Sequence, residues 1–281
     1  MKIVNDITEL RIILKSFRSE GLQLGLVPTM GYLHAGHLSL AQKAREENER
    51  VVVTIFVNPT QFGPQEDLGR YPKDLETDCR LLREAGADIV FTPTDALMYP
   101  DGYQTWVDVD ELSRHLCGKS RPGHFRGVTT VVAKLFNIVQ PDRAYFGQKD
   151  FQQARVISQM VQDLNFPIQI TICPIVRESD GLAMSSRNCY LSVDDRAKAP
   201  LFYQTLKKGM NQANEKKQSW PEIIEQIKQE LTAQGAFTVD YINAIDPDTL
   251  EPLTEYQPSV VLASAVFLGS TRLIDNIWNR E

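Results

Sequence analysis

Two histidines spaced at i and i+3, His34 and His37, lie where an apolar run passes into a helical pattern. The run Leu22–Val27 predicts a buried strand, and the pattern that begins at Leu38 predicts a helix. A strand that enters a helix through a turn brings backbone N–H groups and the positive end of the helix dipole together, which favours a phosphate group. Gly36, between the histidines, lets the backbone approach a ligand closely. The stretch therefore predicts a phosphate site.

Three interpretations of this stretch compete. Gly31 and Gly36 have the spacing of a P-loop, but His37 and Leu38 stand where that motif requires Lys and then Ser or Thr, so the P-loop is excluded. A surface turn without function is the second interpretation. The third is the HxGH signature of the nucleotidylyltransferase superfamily, which the stretch resembles and in which the histidines contact the phosphates of a nucleoside triphosphate.

A second stretch bears on the choice. Met184-Ser185-Ser186-Arg187 resembles the KMSKS-type loop that partners HxGH in that superfamily, although Ala183 replaces its leading Lys. Arg187 supplies a permanently charged, planar fork for phosphate oxygens. Either motif alone is weak evidence, and the pair favours a triphosphate site.

Composition limits the function further. The chain has 281 residues, 42% hydrophobic and 23% charged, which suits one large or two smaller domains. A net charge of −6 argues against a nucleic-acid surface, and therefore against the tRNA ligases that carry the same two motifs. The N-terminal segment reads as an amphipathic helix rather than a signal peptide, and no run is apolar and long enough to span a membrane.

The cysteines indicate a compartment. Cys79, Cys117, Cys173 and Cys189 are scattered without a CxxC pair, which is typical of reduced thiols and not of a disulfide framework or a zinc site. We expect no metal ligands among the protein side chains and a cytoplasmic location.

Alternation of strands and helices predicts the fold. Val51–Val57 is a β-branched run typical of a parallel strand covered on both faces, and similar runs recur along the first part of the chain. The helices between these runs would connect parallel strands, and such strand–helix–strand connections are right-handed. We therefore expect a Rossmann-like, doubly wound parallel sheet over 1–176. Trp106–Val109 is a candidate edge strand. Charged helices followed by antiparallel strands predict a smaller α+β domain over 177–281.

Polar residues follow several of these strands, at the edge where open α/β sheets bind ligands. Gln61 comes after Val51–Val57 and is larger than a turn requires, and Lys149 follows the strand Ala144–Phe146. The basic loop Arg121–Gly127 precedes a helix predicted from Val128 and suits either an anion site or a solvated loop.

Taken together, these stretches resemble the pantoate–β-alanine ligase (pantothenate synthetase) family. The resemblance runs through PTMGYLHAGH, FVNPTQFGP, YPKD, RPGHFRGVTTVVAKLFNIVQPDRAYFGQKDFQQ and VRESDGLAMSSRN and covers almost the whole chain. It implies a ligase of pantothenate and coenzyme A biosynthesis that condenses (R)-pantoate with β-alanine. ATP would be consumed through a pantoyl adenylate, with Mg²⁺ bridging the triphosphate and release of pyrophosphate and AMP. A homodimer is also implied. Because the adenylate must be kept from water, we expect the smaller domain over 177–281 to act as a lid.

The resemblance assigns roles to residues. Those at the ATP site would be Met30, Gly31, Tyr32, Leu33, His34, Ala35, Gly36, His37, Gly147, Gln148, Lys149, Asp150, Val176, Met184, Ser185, Ser186 and Arg187. The groups that stabilise charge on pyrophosphate would be His34, His37, Lys149 and Arg187. Gln61 and Gln153 would hold pantoate, and Gln61 would also meet β-alanine.

Some points stay open. Gln148 stands where many family members have Glu, which matters little if the backbone makes the contact. Asp78 is a conceivable Mg²⁺ contact, although a carboxylate on a helix surface is the simpler expectation. A nucleotidyltransferase that stops at an adenylylated product, or a nucleotide-binding module without catalysis, would share both phosphate motifs.

Overall fold

The computed structural model describes residues 1–216, 218–233, 235 and 237–280, which form two compact units. The first unit comprises Met1–Ser113, Arg121–Gly147 and Gln153–Pro174. The second comprises Arg114–Ser120, Gln148–Gln152 and the described residues from Ile175 onward. Three short segments of the predicted first domain, 114–120, 148–152 and 175–176, therefore group with the second unit. Residue 281, which ends the predicted second domain, lies outside the described residues, and the role of that domain as a lid stays a prediction.

The elements follow in chain order. The strands are β1 (Lys2–Val4), β2 (Leu24–Thr29), β3 (Arg50–Ile55), β4 (Ile89–Phe91), β5 (Arg143–Gly147), β6 (Gln169–Cys173), β7 (Phe237–Ile245), β8 (Val260–Leu268) and β9 (Thr271–Asn279). The helices are α1 (Ile7–Ser19), α2 (Ala35–Glu47), α3 (Leu75–Glu84), α4 (Asp95–Met98), α5 (Leu116–Ser120), α6 (His124–Val139), α7 (Phe151–Asp163), α8 (Val193–Lys198), α9 (Pro200–Lys216) and α10 (Trp220–Thr232). Short 3₁₀ turns span Pro59–Gln61, Asp67–Arg70, Leu112–Arg114, Gln148–Asp150 and Ser186–Tyr190.

The first unit contains a parallel sheet with the strand order β1-β4-β3-β2-β5-β6. The side chains of Val51, Val52 and Val53 are buried because helices cover both faces of the sheet. On one face α2 and α3 pack over β2, β3 and β4, with Leu40 and Leu82 in that core. The predicted doubly wound α/β fold is confirmed.

The order of the strands creates a switch point. β2 pairs with both β3 and β5, and the connections that leave these strands run toward opposite edges of the sheet. Ligands of doubly wound sheets bind outside the carboxyl ends of the strands at such a point. In this chain those ends are Thr29 of β2 and Gly147 of β5, and the HxGH stretch follows Thr29 closely.

One sequence expectation about the strands of the first unit is wrong. Trp106–Val109 is not a strand, because Val107 forms its backbone hydrogen bonds with threonine side chains of α6: its N–H donates to Thr130 Oγ1 and its carbonyl accepts from Thr129 Oγ1. Lys2–Val4, for which the sequence predicts no element, is a strand that pairs with β4. Three residues are too few to display the alternation that identifies a strand.

The second unit contains an antiparallel sheet of β7, β8 and β9, in that order. Its core includes the side chains of Phe202, Leu206, Trp220, Ile227 and Val266, from α9, α10 and β8. Apolar residues recur at helical spacing in α10 and cover the sheet, which explains why charged helices fold onto it. The predicted smaller α+β domain is confirmed.

Candidate active site

The HxGH stretch forms the N-terminus of α2. The helix begins at Ala35 rather than at the predicted Leu38, because His34 caps it: the Gly36 N–H donates to His34 Nδ1 at 3.2 Å. The His34 N–H in turn donates to His37 Nδ1 at 3.4 Å, and the two ring centroids lie 4.1 Å apart. Because each Nδ1 accepts a backbone proton, each neutral ring carries its own proton on Nε2. Two imidazole N–H donors and the helix dipole thus converge at one end of α2.

The turn before α2 has an unusual backbone. Gly31 and Tyr32 have φ angles of +81° and +52°, a region that costs a residue with a side chain about 1–2 kcal/mol. A Cβ at Gly31 would lie 2.9 Å from Ile55 Cγ2, so this position requires glycine. The Gly31 N–H donates to Thr29 Oγ1 at 3.2 Å, which ties the turn to the end of β2.

Asp78 holds this turn from α3. Its side-chain oxygens accept the N–H groups of Tyr32 at 2.8 Å and Leu33 at 2.7 Å, and the residue is only 2% exposed. The expectation of a helix-surface carboxylate is therefore wrong. Burial raises the pKa of Asp78, although the two backbone hydrogen bonds lower it in part. Helical spacing did not reveal this residue, because its partners belong to a turn distant in sequence.

Gln61 lies at the end of the 3₁₀ turn that follows β3. Its Nε2 donates to Met30 Sδ at 3.2 Å and its Oε1 accepts from Asn58 Nδ2 at 3.1 Å. Asn58 is 1% exposed, and its Oδ1 accepts from the hydroxyl of Tyr99 at 2.8 Å. Two predicted site residues, Met30 and Gln61, are thus in contact. The buried amide of Asn58 orients one of them, Gln61.

Two basic residues of the loop, Arg121 and His124, have partners within the protein. Arg121 pairs with Glu66 through Nε at 2.6 Å and Nη2 at 2.5 Å, and Nη2 also donates to the carbonyl of Gln61 at 3.3 Å. His124 Nδ1 lies 2.8 Å from the same carbonyl. Burial raises the pKa of Glu66, but hydrogen bonds and charge from Arg121 bring it below its ordinary value. This loop, which begins α6 at His124, positions the Gln61 backbone.

The remaining predicted residues of the first unit are near strand and helix ends. Gly147 is the last residue of β5, and Gln153 lies half-buried in the first turn of α7.

The second unit carries the KMSKS-like stretch at the end of a hairpin. The Met184 N–H donates to the Val176 carbonyl at 3.0 Å, and Arg177 bridges Ala183 in antiparallel fashion. Ser185 then caps the 3₁₀ turn Ser186–Tyr190, its Oγ accepting from the Arg187 N–H at 3.3 Å. The hairpin thereby places the hydroxyls and the guanidinium at the beginning of a short helical turn.

Lys149 lies in the other predicted ATP segment of this unit, the 3₁₀ turn Gln148–Asp150. Its side chain is 19% exposed, and its ammonium lies 3.6 Å from the carboxylate of Asp150. Both 3₁₀ turns, Gln148–Asp150 and Ser186–Tyr190, pack against β9. Gln148 uses its side chain within the protein, because its Nε2 donates to Asn276 Oδ1 at 3.1 Å. The two 3₁₀ turns that carry predicted ATP residues in the second unit therefore pack against the same strand, β9.

Comparison with known proteins decides the family. The family model described as Pantoate-beta-alanine ligase matches residues 2–278. A pantothenate synthetase of Moorella thermoacetica is 54% identical over 277 residues, which is 99% of this chain and 98% of that relative. The chain belongs to the pantoate–β-alanine ligase family. The predicted family and the predicted class of enzyme, an amide-forming ligase, are confirmed.

Solved structures of the pantoate–β-alanine ligase family have the same fold. The crystal structure of a pantothenate synthetase from Thermus thermophilus has a TM-score of 0.94 at 46% identity, covering 100% of both chains. A pantoate–β-alanine ligase from Francisella tularensis, crystallised in complex with β,γ-ATP and β-alanine, has a TM-score of 0.83 at 35% identity over 99% of this chain and 98% of its own.

Two kinds of feature are absent from the described residues. No helix in the described part of the chain has the length and apolarity that crossing a membrane requires. Among the same residues, no group of three or more His, Cys, Asp and Glu side chains is arranged to hold a metal ion.

Proposed function

We propose that this chain condenses (R)-pantoate with β-alanine at the expense of ATP, through an enzyme-bound pantoyl adenylate. The observation that carries the proposal is the N-terminus of α2, where His34 and His37 each have Nδ1 occupied by a backbone N–H. In a member of the pantoate–β-alanine ligase family, such a terminus suits the triphosphate. The Francisella tularensis relative, which is complexed with β,γ-ATP and β-alanine, supports ATP and β-alanine as ligands here.

The first half-reaction requires charge stabilisation. A carboxylate is a poor electrophile, so pantoate needs a leaving group before an amine can attack it. The pantoate carboxylate attacks the α-phosphorus, a new P–O bond forms, and the bond to the β-phosphate breaks. The electron pair leaves with pyrophosphate. We assign His34 and His37 to the stabilisation of this charge, through their Nε2–H groups. Lys149 and Arg187 would also stabilise it, an assignment that rests on the family resemblance.

Neutral amides suit the other substrate. Pantoate carries two hydroxyls and a carboxylate, and an amide both donates and accepts hydrogen bonds. Gln61 Nε2 has one further proton and Gln61 Oε1 one further lone pair beyond the contacts with Met30 and Asn58. These two groups remain for pantoate. Gln153 is the second amide that we assign to pantoate, from the family resemblance.

The second half-reaction forms the amide bond. The amine of β-alanine attacks the acyl carbon of the adenylate, the C–N bond forms, AMP leaves with the electrons of the C–O bond, and the nitrogen releases one proton. We assign Gln61 to β-alanine as well, from the family resemblance. Arg121 and His124 lie within hydrogen-bond distance of its backbone carbonyl and hold the segment in place. The adenylate must be protected from water, which is the reason to expect a closing lid.

Mg²⁺ enters the proposal with the nucleotide. The described residues offer no cluster of carboxylates or imidazoles as a cage for a divalent ion. Mg²⁺ commonly retains waters and binds substrate phosphates with few protein ligands. When bound, it would neutralise charge on the phosphates. A homodimer and a cytoplasmic location stay predictions from the family resemblance and the cysteine pattern.

A coupled assay tests the function. With ATP and pantoate alone, we expect pyrophosphate in an amount close to that of the enzyme, and with β-alanine added we expect continuous release of AMP. A nucleotidyltransferase would release pyrophosphate continuously without the amine, and a nucleotide-binding module would release none. Either result would overturn the proposal.

A further inference from the structure

A buried polar chain in the second unit runs from the Lys149 turn to the hairpin that carries Met184–Arg187. It consists of Asn276 and Asp275 on β9 and Arg177 at the base of the hairpin. Asp275 and Asn276 are adjacent in sequence and are each 3% exposed. Adjacent side chains of a strand point to opposite faces, so two buried polar neighbours indicate partners on both sides of β9.

Asn276 holds the Lys149 turn through its amide. Its Nδ2 donates to the carbonyl of Gln148 at 2.9 Å and to the carbonyl of Lys149 at 3.0 Å, while its Oδ1 accepts from Gln148 Nε2. The two carbonyls belong to the peptide planes on either side of the Lys149 Cα. Because both planes are held, the direction in which the Lys149 side chain leaves the backbone is held as well.

Arg177 holds the hairpin at the other end of the chain. Its Nη1 and Nη2 bind the Asp275 carboxylate at 2.7 and 2.9 Å, and Nη1 also donates to the carbonyl of Gly181 at 3.1 Å. The guanidinium stacks 3.6 Å from the ring centroid of Tyr203. A bidentate, stacked arginine is restricted in both distance and orientation, which gives the hairpin a defined position on β9.

The backbone of β9 joins the two ends. The Asn276 N–H donates to Asp275 Oδ1 at 2.7 Å, and the Asp275 carbonyl accepts from Ser264 Oγ at 3.0 Å. Burial raises the pKa of Asp275, and Arg177 opposes that rise. A desolvated carboxylate is tolerated only with such partners.

We propose that Asn276, Asp275 and Arg177 are positioning residues that set Lys149 relative to the Met184–Arg187 segment for adenylation. The proposal rests on the function proposed above, in which both segments meet the triphosphate. In this proposal they act through the backbone of the segments that contact substrate.

The test compares two asparagines on one strand. Asn276→Ala removes the contacts with Gln148 and Lys149. Asn279→Ala is the matched control, because Asn279 Nδ2 donates instead to Asn214 Oδ1 at 3.3 Å and the Pro258 carbonyl at 2.9 Å. In single-turnover pyrophosphate release from ATP and pantoate, Asn276→Ala should be slower by about tenfold to a hundredfold, the scale for a misplaced catalytic group. Asn279→Ala should stay within about twofold of the wild type.

A double-mutant cycle separates positioning from general destabilisation. If Asn276 acts through Lys149, Asn276→Ala should have little further effect on adenylation once Lys149→Ala is present. Equal rate factors in both backgrounds would mean independent roles and would overturn the proposal. The same conclusion follows if the two asparagine variants slow adenylation equally.

Amide hydrogen exchange provides a readout without substrate. Exchange in peptides covering 147–152 should accelerate in Asn276→Ala and not in Asn279→Ala, and unchanged exchange would overturn the proposal. Asn276→Leu keeps roughly the side-chain volume and removes the amide donor without adding a charge beside Asp275, and it replaces the alanine variant should that fail to fold. Wild-type protein that releases no pyrophosphate would overturn the proposed function instead, and the exchange result would still decide the positioning role.

Discussion

Replacing Asp78 by asparagine tests whether α3 holds the HxGH turn in its active geometry. Asparagine keeps one oxygen for the N–H of Tyr32 or Leu33 but presents an NH₂ group to the other. One hydrogen bond to a charged acceptor is lost, at a cost of about 1.5–3 kcal/mol. Since burial raises the pKa of Asp78, the neutral amide recovers part of this cost. We expect the free energy of unfolding at pH 7 to change by less than about 2 kcal/mol.

Adenylation should suffer more than stability. The carboxylate helps to offset the left-handed backbone of Tyr32, whose φ is +52°. Without one of the two hydrogen bonds from Asp78, the turn relaxes and displaces the imidazole of His34, which caps α2. A displacement near 1 Å costs about a hundredfold in rate, so we expect a loss of about tenfold to a hundredfold in single-turnover pyrophosphate release.

Asp74→Asn is the control for this experiment. Asp74 caps the same helix, its carboxylate accepts from the Thr77 N–H at 3.0 Å, and asparagine is an equally good cap. The control therefore removes the same charge without touching the turn. If Asp78→Asn adenylates as fast as Asp74→Asn, Asp78 does not hold the active geometry and the reasoning is refuted.

The pH dependence of stability gives an independent check on Asp78. A carboxyl group whose pKa is raised in the folded state contributes stability that is complete below its ordinary value of 3.8. That contribution is lost as the pH rises through the raised pKa. Asparagine does not titrate. In urea unfolding, the free energy of unfolding of Asp78→Asn should therefore rise relative to that of the wild type as the pH rises above 3.8. A difference in free energy of unfolding between variant and wild type that does not change with pH would contradict the raised pKa of Asp78.

Three further predictions concern residues assigned to substrates. His37→Ala should slow adenylation by about 10²–10³, the scale for one preorganised donor, with a smaller change in ATP affinity by calorimetry; activity within twofold of the wild type would remove His37 from the reaction. Arg187→Lys and Lys149→Ala should both lower adenylation at an unchanged melting temperature, because a charge without the planar fork, or no charge at all, binds the phosphates less well; wild-type turnover in either variant would mean that the residue does not act on the triphosphate. Gln61→Ala or Gln153→Ala should weaken pantoate-dependent pyrophosphate release, without β-alanine, by about tenfold or more, since a buried hydrogen-bond partner contributes about 1–3 kcal/mol. ATP binding should survive in both, and its loss in step with pantoate would contradict their assignment.

Patterns within one stretch could be predicted from the sequence. The β-branched run that became β3 and the glycine turn before α2 depend on neighbours along the chain, so their signals are local. The confirmed α/β fold, the smaller α+β part and the family follow from such stretches and their order. The start of α2 was misplaced because histidine is an uncommon cap, and its side-chain bond to Gly36 is visible only in three dimensions.

Side-chain partners across the chain could not be predicted. Trp106–Val109 has the alternation of a strand, yet Thr129 and Thr130 on α6 take its backbone hydrogen bonds. The basic loop that begins at Arg121 has the composition of an anion site, yet the guanidinium of Arg121 pairs with the carboxylate of Glu66. In both cases the competing group is remote in sequence and adjacent only after folding.

The sequence by itself determined the kinds of chemistry available to this protein: imidazoles at a helix start, an arginine after two serines, and amides after strands. Tertiary structure alone decided which buried groups hold those residues in place. Asp78 clamps the HxGH turn from α3, and Asn276 holds the peptides on both sides of Lys149. The physical reason is that a buried polar group must find a partner wherever the fold brings one, and no spacing rule along the chain specifies that partner.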